Sequence, residues 1–389
     1  MKFKSIIFGL LITTASVPVF AQKAAVASAK ADYEKYELLK GTPAMAEPLM
    51  KSAKASIDKA VLSEKTSADP QAWAYRALIY SNLATTAKGD EAAPLFTEAV
   101  TSLKKAKELD PTGIFKSNLE NATILIYNYQ LQKANTLYQN KDYLNANAEF
   151  EKSLEFIPGD TTATYGAGVT AMYAKDYKKS LAKYGELTKT NFSGLPEIYA
   201  NMAYMHIMQK DTASAIKVLS EGSTKFPDNK DLATREIEYS LMSGRDKEVI
   251  SKLAAQVQKN PTNKLFPYYL GVAYNNTKDY TKAEEAYLKA LAIDPNYSDA
   301  AINLSSIIMN NGITIYNKSN KLPASKAAEA AAAKKKAMAE FDRALPYLQK
   351  AVDLNPKSAA ALSNLKQYYS INNNTAKVNE IDAQIKALK

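Results

Sequence analysis

Prolines close successive stretches of this chain at Pro227, Pro261 and Pro295, so the closing position returns every 34 residues. The stretch ending at Pro295 carries Leu270-Gly271, Tyr274, Lys278-Asp279-Tyr280, Ala283, Tyr287 and Ala290. Copies of that pattern recur upstream. Ala134, Gly168, Ala203 and Gly271 share one offset; Ala146, Ser180, Ala215 and Ala283 share a second; Ser153, Gly222, Ala290 and Ala351 share a third. Large side chains fill between them: Phe150, Tyr184, Leu219, Leu253 and Tyr287. Small residues facing large ones are what closely packed helices need. A chain with such a period grows by stacking units, each covering the next, and not by enlarging one central core. The short runs Lys141-Asp142-Tyr143, Lys175-Asp176-Tyr177, Lys210-Asp211 and Lys278-Asp279-Tyr280 mark the turn inside each unit. The Asp suits a helix N-cap, where its carboxylate accepts from backbone N–H groups of the first turn. The proline restricts the residue before it to non-helical backbone and so ends the unit.

On these residues the chain resembles the tetratricopeptide repeat family, whose period is 34 residues. The resemblance implies an all-α fold: an α-solenoid of stacked antiparallel helix hairpins wound as a right-handed superhelix. Regular units run 127–160, 161–194, 196–229, 230–263 and 264–297, with one extra residue between the second and third. Unit 161–194 ends at Phe192 where the others have proline, and unit 230–263 has Ile237 and Glu236 where a small residue and Leu are usual. Upstream, Trp73, Ala77, Tyr80, Ala99, Leu103, Ala106 and Pro111 rebuild a further unit around an inserted loop from Thr85 to Pro94. The stretch from Lys23 to Leu62 reads as a degenerate first hairpin, and 114–139 as one long helix.

Downstream, Leu304 and Ala344 lie 40 residues apart where 13 is the norm, which leaves 27 inserted residues. The insert contains Ala327-Ala328-Glu329-Ala330-Ala331-Ala332-Ala333-Lys334-Lys335-Lys336, and Ala and Lys are strong helix formers. Both helices of that unit are therefore expected to lengthen, turn near Asn320 to Pro323 and form one elongated projecting hairpin. The expected organisation is 1–21 leader, 22–111 degenerate units, 112–297 regular array, 298–356 elongated unit and 357–389 polar cap.

The leader is read from Lys2 and Lys4, the apolar run Ile6 to Ile12, and Val19-Phe20-Ala21, which places signal cleavage between Ala21 and Gln22. No later run approaches the ~18 apolar residues of a spanning helix. An exported protein without a transmembrane segment, periplasmic in a Gram-negative cell, is the expectation. With no Cys, disulfides and thiolate chemistry are excluded. His206 is the only histidine, so no histidine cluster for a metal exists, and it occupies the repeat position of Tyr274 and Tyr80, a packing position. No phosphate-binding loop, nucleophile elbow or dinucleotide fingerprint appears. The reading is therefore no enzyme, no catalytic residue, no metal and no cofactor. The formal charge of +10 is basic but spread over a long chain, and no Arg-rich tract argues for nucleic acid.

In this family the first helices face a concave groove that holds protein partners. Asn135, Tyr138, Tyr165, Tyr204, Tyr268, Asn275 and Asn303 fall at groove-facing positions. Tyr joins a broad apolar face to one hydroxyl, and Asn can answer both polar groups of an extended backbone. The resemblance implies a scaffold that captures an extended or helical segment of a protein partner in the cell envelope. The Lys/Asn clamp with which some members hold a chaperone tail is not reproduced, since Val169, Tyr204 and Val272 stand where it would continue from Asn135. An alternative class is a basic envelope-surface or glycan-associating structural protein using Lys334-Lys335-Lys336.

Overall fold

The computed structural model describes residues 17–388, with side chains from Lys23 onward. The leader expected over 1–21 lies outside them except for backbone from Val17. Among the described residues there are eighteen α-helices and no strand. The chain divides into two compact units between Ser193 and Gly194. That boundary falls inside the 112–297 array, in the loop where the period takes its extra residue.

The first unit contains α1 (Val17–Leu39), α2 (Pro43–Val61), α3 (Pro70–Thr86), α4 (Ala92–Leu109), α5 (Lys116–Gln139), α6 (Tyr143–Phe156), α7 (Thr161–Tyr173) and α8 (Tyr177–Leu187). The second contains α9 (Leu195–Met208), α10 (Thr212–Lys225), α11 (Lys230–Met242), α12 (Asp246–Lys259), α13 (Leu265–Asn276), α14 (Tyr280–Ile293), α15 (Ser298–Asn320), α16 (Ala327–Leu354), α17 (Ala359–Ile371) and α18 (Thr375–Lys386). Each odd-numbered helix packs on the even-numbered helix after it, and consecutive hairpins stack within each unit. This is an α-solenoid. The expected long helix over 114–139 is α5, and the insert lengthens α15 and α16 around a turn at residues 321–326.

The expected loop from Thr85 to Pro94 is shorter than the sequence suggested. Thr85 and Thr86 remain helical, their hydroxyls donating to the Asn82 carbonyl at 2.8 and 2.9 Å. Pro94 lies in the first turn of α4, where the N–H it lacks would have had no helical partner.

A single close contact sets the spacing of the hairpins. At Gly168 a β-carbon would stand 2.5 Å from the Tyr184 ring, and at Gly271 2.6 Å from the Tyr287 ring. The facing tyrosines are fully buried, as are Ala134, Ala203, Ala146, Ala215 and Ala283. The elongated hairpin repeats the contact two turns farther out. Gly312 lies seven residues past Ser305, the counterpart of Gly271, and Phe341 lies seven before Leu348, the counterpart of Tyr287. A β-carbon on Gly312 would come within 2.6 Å of the Phe341 ring. In unit 230–263 Ile237 occupies the small-residue position, and α11 and α12 touch along a shorter stretch than the other hairpins. Glu236, in place of Leu, is buried but paired, with Lys252 at 2.6 Å and the Ser223 hydroxyl donating at 2.7 Å.

The turn inside each hairpin is a left-handed helix cap followed by an N-cap. Lys141, Lys175, Lys210 and Lys278 have φ of 62°, 63°, 61° and 65°, and Gly244 at the corresponding place in unit 230–263 has 76°. Each is bracketed by the paired bonds of a Schellman cap, such as Asp176 N–H to Ala171 C=O at 2.9 Å and Lys175 N–H to Met172 C=O at 3.0 Å. The next residue begins the second helix. Asp142, Asp176, Asp211 and Asp279 accept from the N–H three residues on. At Asp211 and Asp279 hydrogen bonds from Ser214 and Lys282 hold the carboxyl below its ordinary range. A lysine in the left-handed region carries strain that glycine lacks. Lys175→Gly should therefore raise the free energy of unfolding by roughly 0.5–1 kcal/mol, and Gly244→Ala should lower it by about 1 kcal/mol. Denaturant titrations read by circular dichroism check both. Opposite signs would mean the cap is not limiting.

Candidate functional site

The seven residues expected to face a groove fall into two groups. Asn135 on α5 is exposed, and Tyr204 on α9 is 45% exposed. The tyrosines at 138, 165 and 268 are half-buried in aromatic clusters. Tyr138 lies 5.9 Å from the Tyr143 ring and 6.2 Å from Tyr173, which themselves stack at 4.9 Å. Tyr165 lies 5.3 Å from Phe192, the residue that replaces the closing proline, and 6.4 Å from Tyr184. In the second unit Tyr268 is ringed by Tyr269, Tyr287 and Tyr297 at 5.3, 5.9 and 5.0 Å. Burial pushes its phenol above the ordinary value, so it stays protonated at neutral pH. Asn275, near the end of α13, is half-buried.

Two of the seven meet. The Asn303 side chain donates to the Tyr268 hydroxyl at 3.4 Å. This contact belongs to a ladder along the first helices of the second unit. Tyr269 donates to Glu238 between α11 and α13, Asn303 joins α15 to α13, and Asn364 donates to the Ser306 hydroxyl at 2.6 Å between α17 and α15. Tyr268 and Asn303 therefore cross-link successive repeats. Chain position alone did not reveal this, because Tyr268 and Asn303 belong to successive units and meet only when these stack.

Little converges for catalysis. His206 is half-buried with Nδ1 3.9 Å from the Asp211 carboxylate, which serves as the N-cap of α10 and accepts from Ser214 N–H at 3.0 Å. Of the buried carboxylates, Glu149 is neutralised by Lys133 and Lys152, both at 3.0 Å, and Glu236 by Lys252, while Asp110 accepts from the Ile114 and Phe115 backbone N–H groups at 2.9 and 2.7 Å. Among the described residues no group of three or more His, Cys, Asp or Glu is placed to hold a metal ion. No helix among them is long and apolar enough to cross a membrane.

The second unit instead presents two clefts that arise where the repeat is broken. Over the loosely closed α11–α12 hairpin lies a cleft of about 730 Å³, lined by Lys217, Arg245 and Lys252 against Glu221, Glu236 and Glu248. Its charges largely answer one another. Where α15 runs past its usual end beside α14, a second cleft of about 630 Å³ opens. Tyr280 and Leu288 on α14, 52% and 39% exposed, give it an apolar wall. Ile313, Asn310 and Asn311 on α15 give the opposite wall. Asn310 and Asn311 are exposed, and their side chains carry amide donors and acceptors free for a ligand's backbone. Glu284 at the edge is held in a two-pronged pair by Arg343 of α16. The sequence singled out none of these residues for binding, Tyr280 entering only through the Lys-Asp-Tyr turn and Glu236 only as a departure from the repeat, although the 27-residue insertion signalled that α15 would outrun α14.

The tetratricopeptide repeat family model matches residues 268–297, which span most of α13 and all of α14. One tetratricopeptide repeat is thereby identified. No curated protein matches the chain. Solved structures of tetratricopeptide repeat proteins resemble it. The C-terminal part of such a protein from Cytophaga hutchinsonii is 18% identical over 67% of this chain and 95% of that one, with a TM-score of 0.45. One from Bacteroides fragilis is 23% identical over 63% of this chain and 98% of its own, with a TM-score of 0.35. YrrB, described as a protein with an unusual peptide-binding site, is 21% identical over 44% of this chain and 88% of its own, with a TM-score of 0.36.

The exposed and the packed tyrosines should part experimentally. Tyr268→Ala is expected to destabilise the protein by about 2–3 kcal/mol, as loss of a buried aromatic does. Tyr204→Ala should leave stability within about 0.5 kcal/mol. Equal effects in thermal unfolding would refute the division.

Proposed function

We propose that this protein is a non-enzymatic, exported scaffold of the bacterial cell envelope that captures an extended or helical segment of a partner protein. The carrying observation is the α14–α15 cleft, in which an apolar wall of Tyr280 and Leu288 faces the free amides of Asn310 and Asn311. Such a pairing can seat a partner's apolar side chain while its backbone bonds to the amides. Asn135 and Tyr204 are the groove-facing positions whose exposure suits the same role elsewhere in the chain. A photo-reactive amino acid at Leu288 should yield discrete protein adducts in the intact envelope, and Asn310→Ala with Asn311→Ala should remove them without loss of helicity. The same adducts from an outlying surface position such as Lys152 would sink the assignment.

Export rests on the sequence pattern over residues 2–21. Intact-mass measurement of the purified protein should give a chain beginning at Gln22. A chain beginning at Met1 would remove the envelope from the proposal and leave the cleft untouched.

A further inference from the structure

The far end of the elongated hairpin, from Gly312 to Ala337, carries Lys318, Lys321, Lys326, Lys334, Lys335 and Lys336 against a single acid, Glu329. Its charge of +5 is half of the +10 carried by all 389 residues. All six lysines are exposed. Lys326 pairs with Glu329 at 3.2 Å, and the Lys334 ammonium lies 5.9 Å over the Tyr316 ring. The next acid along α16, Glu340, is taken by Arg343 at 2.6 Å. Of residues 313–336 only Ser319 is buried, so this end stands clear of the core.

Lys318 and Lys321 have a structural reason to be there, because the C-terminal end of α15 attracts positive charge. Lys335 and Lys336 have none, and Lys334 has only the Tyr316 ring near it. They sit about two turns inside α16, and the residues three and four before them are all alanine, Ala330 to Ala333, so no acid offers a pair across the preceding turn. Consecutive helical residues step by ~100°, so the three ammonium groups fan over roughly 200° of the helix surface. A fan of separate point charges forms no fork for one carboxylate, which is arginine's speciality. It suits a partner whose negative charge is itself spread over a plane.

We propose that the tip of the α15–α16 hairpin docks on an anionic phospholipid surface, with these lysines contacting headgroup phosphates. The alanines of residues 327–333 add no bulky apolar group, so the contact stays at headgroup level and depends on charge. It is independent of the α14–α15 cleft and adds a second attachment, to a membrane, to whatever the cleft holds.

Co-sedimentation of the purified protein with phosphatidylcholine vesicles, with and without phosphatidylglycerol, tests it. Retention is expected only with phosphatidylglycerol, and should be lost at high salt. The triple variant Lys334→Gln, Lys335→Gln, Lys336→Gln should bind roughly 100-fold more weakly. Its unfolding midpoint should not fall, since like-charge repulsion is removed. A control with the same loss of charge from exposed lysines elsewhere, Lys104→Gln, Lys107→Gln, Lys230→Gln, should keep its binding. Three outcomes overturn the proposal: equal loss in both variants, retention on phosphatidylcholine alone, or capture by immobilised polyglutamate but not by the anionic vesicles.

Discussion

In three of the hairpins the closest contact is a backbone pressed against a ring. Gly168 lies against Tyr184, Gly271 against Tyr287 and Gly312 against Phe341, at separations a β-carbon would violate. Interiors pack as densely as organic crystals, so a helix pair that comes this close is fixed in distance and rotation together. The Schellman cap and N-cap at the turn then have only one geometry to satisfy, which is why Lys141, Lys175, Lys210 and Lys278 all adopt nearly the same strained φ.

The same contact explains the two departures from regularity. Extending a hairpin by whole turns keeps its facing side chains in phase, and the insertion does so by placing a second glycine–aromatic pair two turns beyond the usual position. Removing the small residue has the opposite effect. With Ile237 at the point of closest approach, α11 and α12 meet less fully, and a charged cleft takes the space. One rule, applied or broken, yields a prong in one place and an opening in another.

Much of this was legible in the chain. The period located the hairpins of the regular array, the Lys-Asp runs located the turns, and the excess separation of Leu304 and Ala344 located the long helices. What periodicity could not give was the direction in which a large amphipathic side chain finally lies. Tyr165 and Tyr268 occupy positions that a repeat leaves half-open, and whether such a ring faces solvent depends on the residue that happens to close its unit. Phe192 covers one and Tyr297 the other. Tyr204 has no such neighbour and stays exposed. The clefts were hidden for a related reason, since each exists only as the difference between a regular unit and an irregular one beside it.

That difference indicates where binding surfaces arise in a stack of this kind. A regular repeat spends its aromatic and polar side chains on the next repeat, as the ladder from Glu238 to Asn364 does, and leaves few groups unanswered. Surplus chemistry collects beside irregularities: the exposed amides of Asn310 and Asn311 stand where α15 begins to outrun α14, and the lysines at 334–336 stand where Glu329 is the one acid of the hairpin end. The 27 residues that interrupt the period therefore supply both the proposed protein-binding cleft and the proposed lipid contact, on opposite sides of one structural event. Near Gly312 the lengthened α15 still has α14 beside it, and the two form a cleft lined by apolar and amide groups; farther out α15 and α16 have only each other, and their outer faces carry the charge.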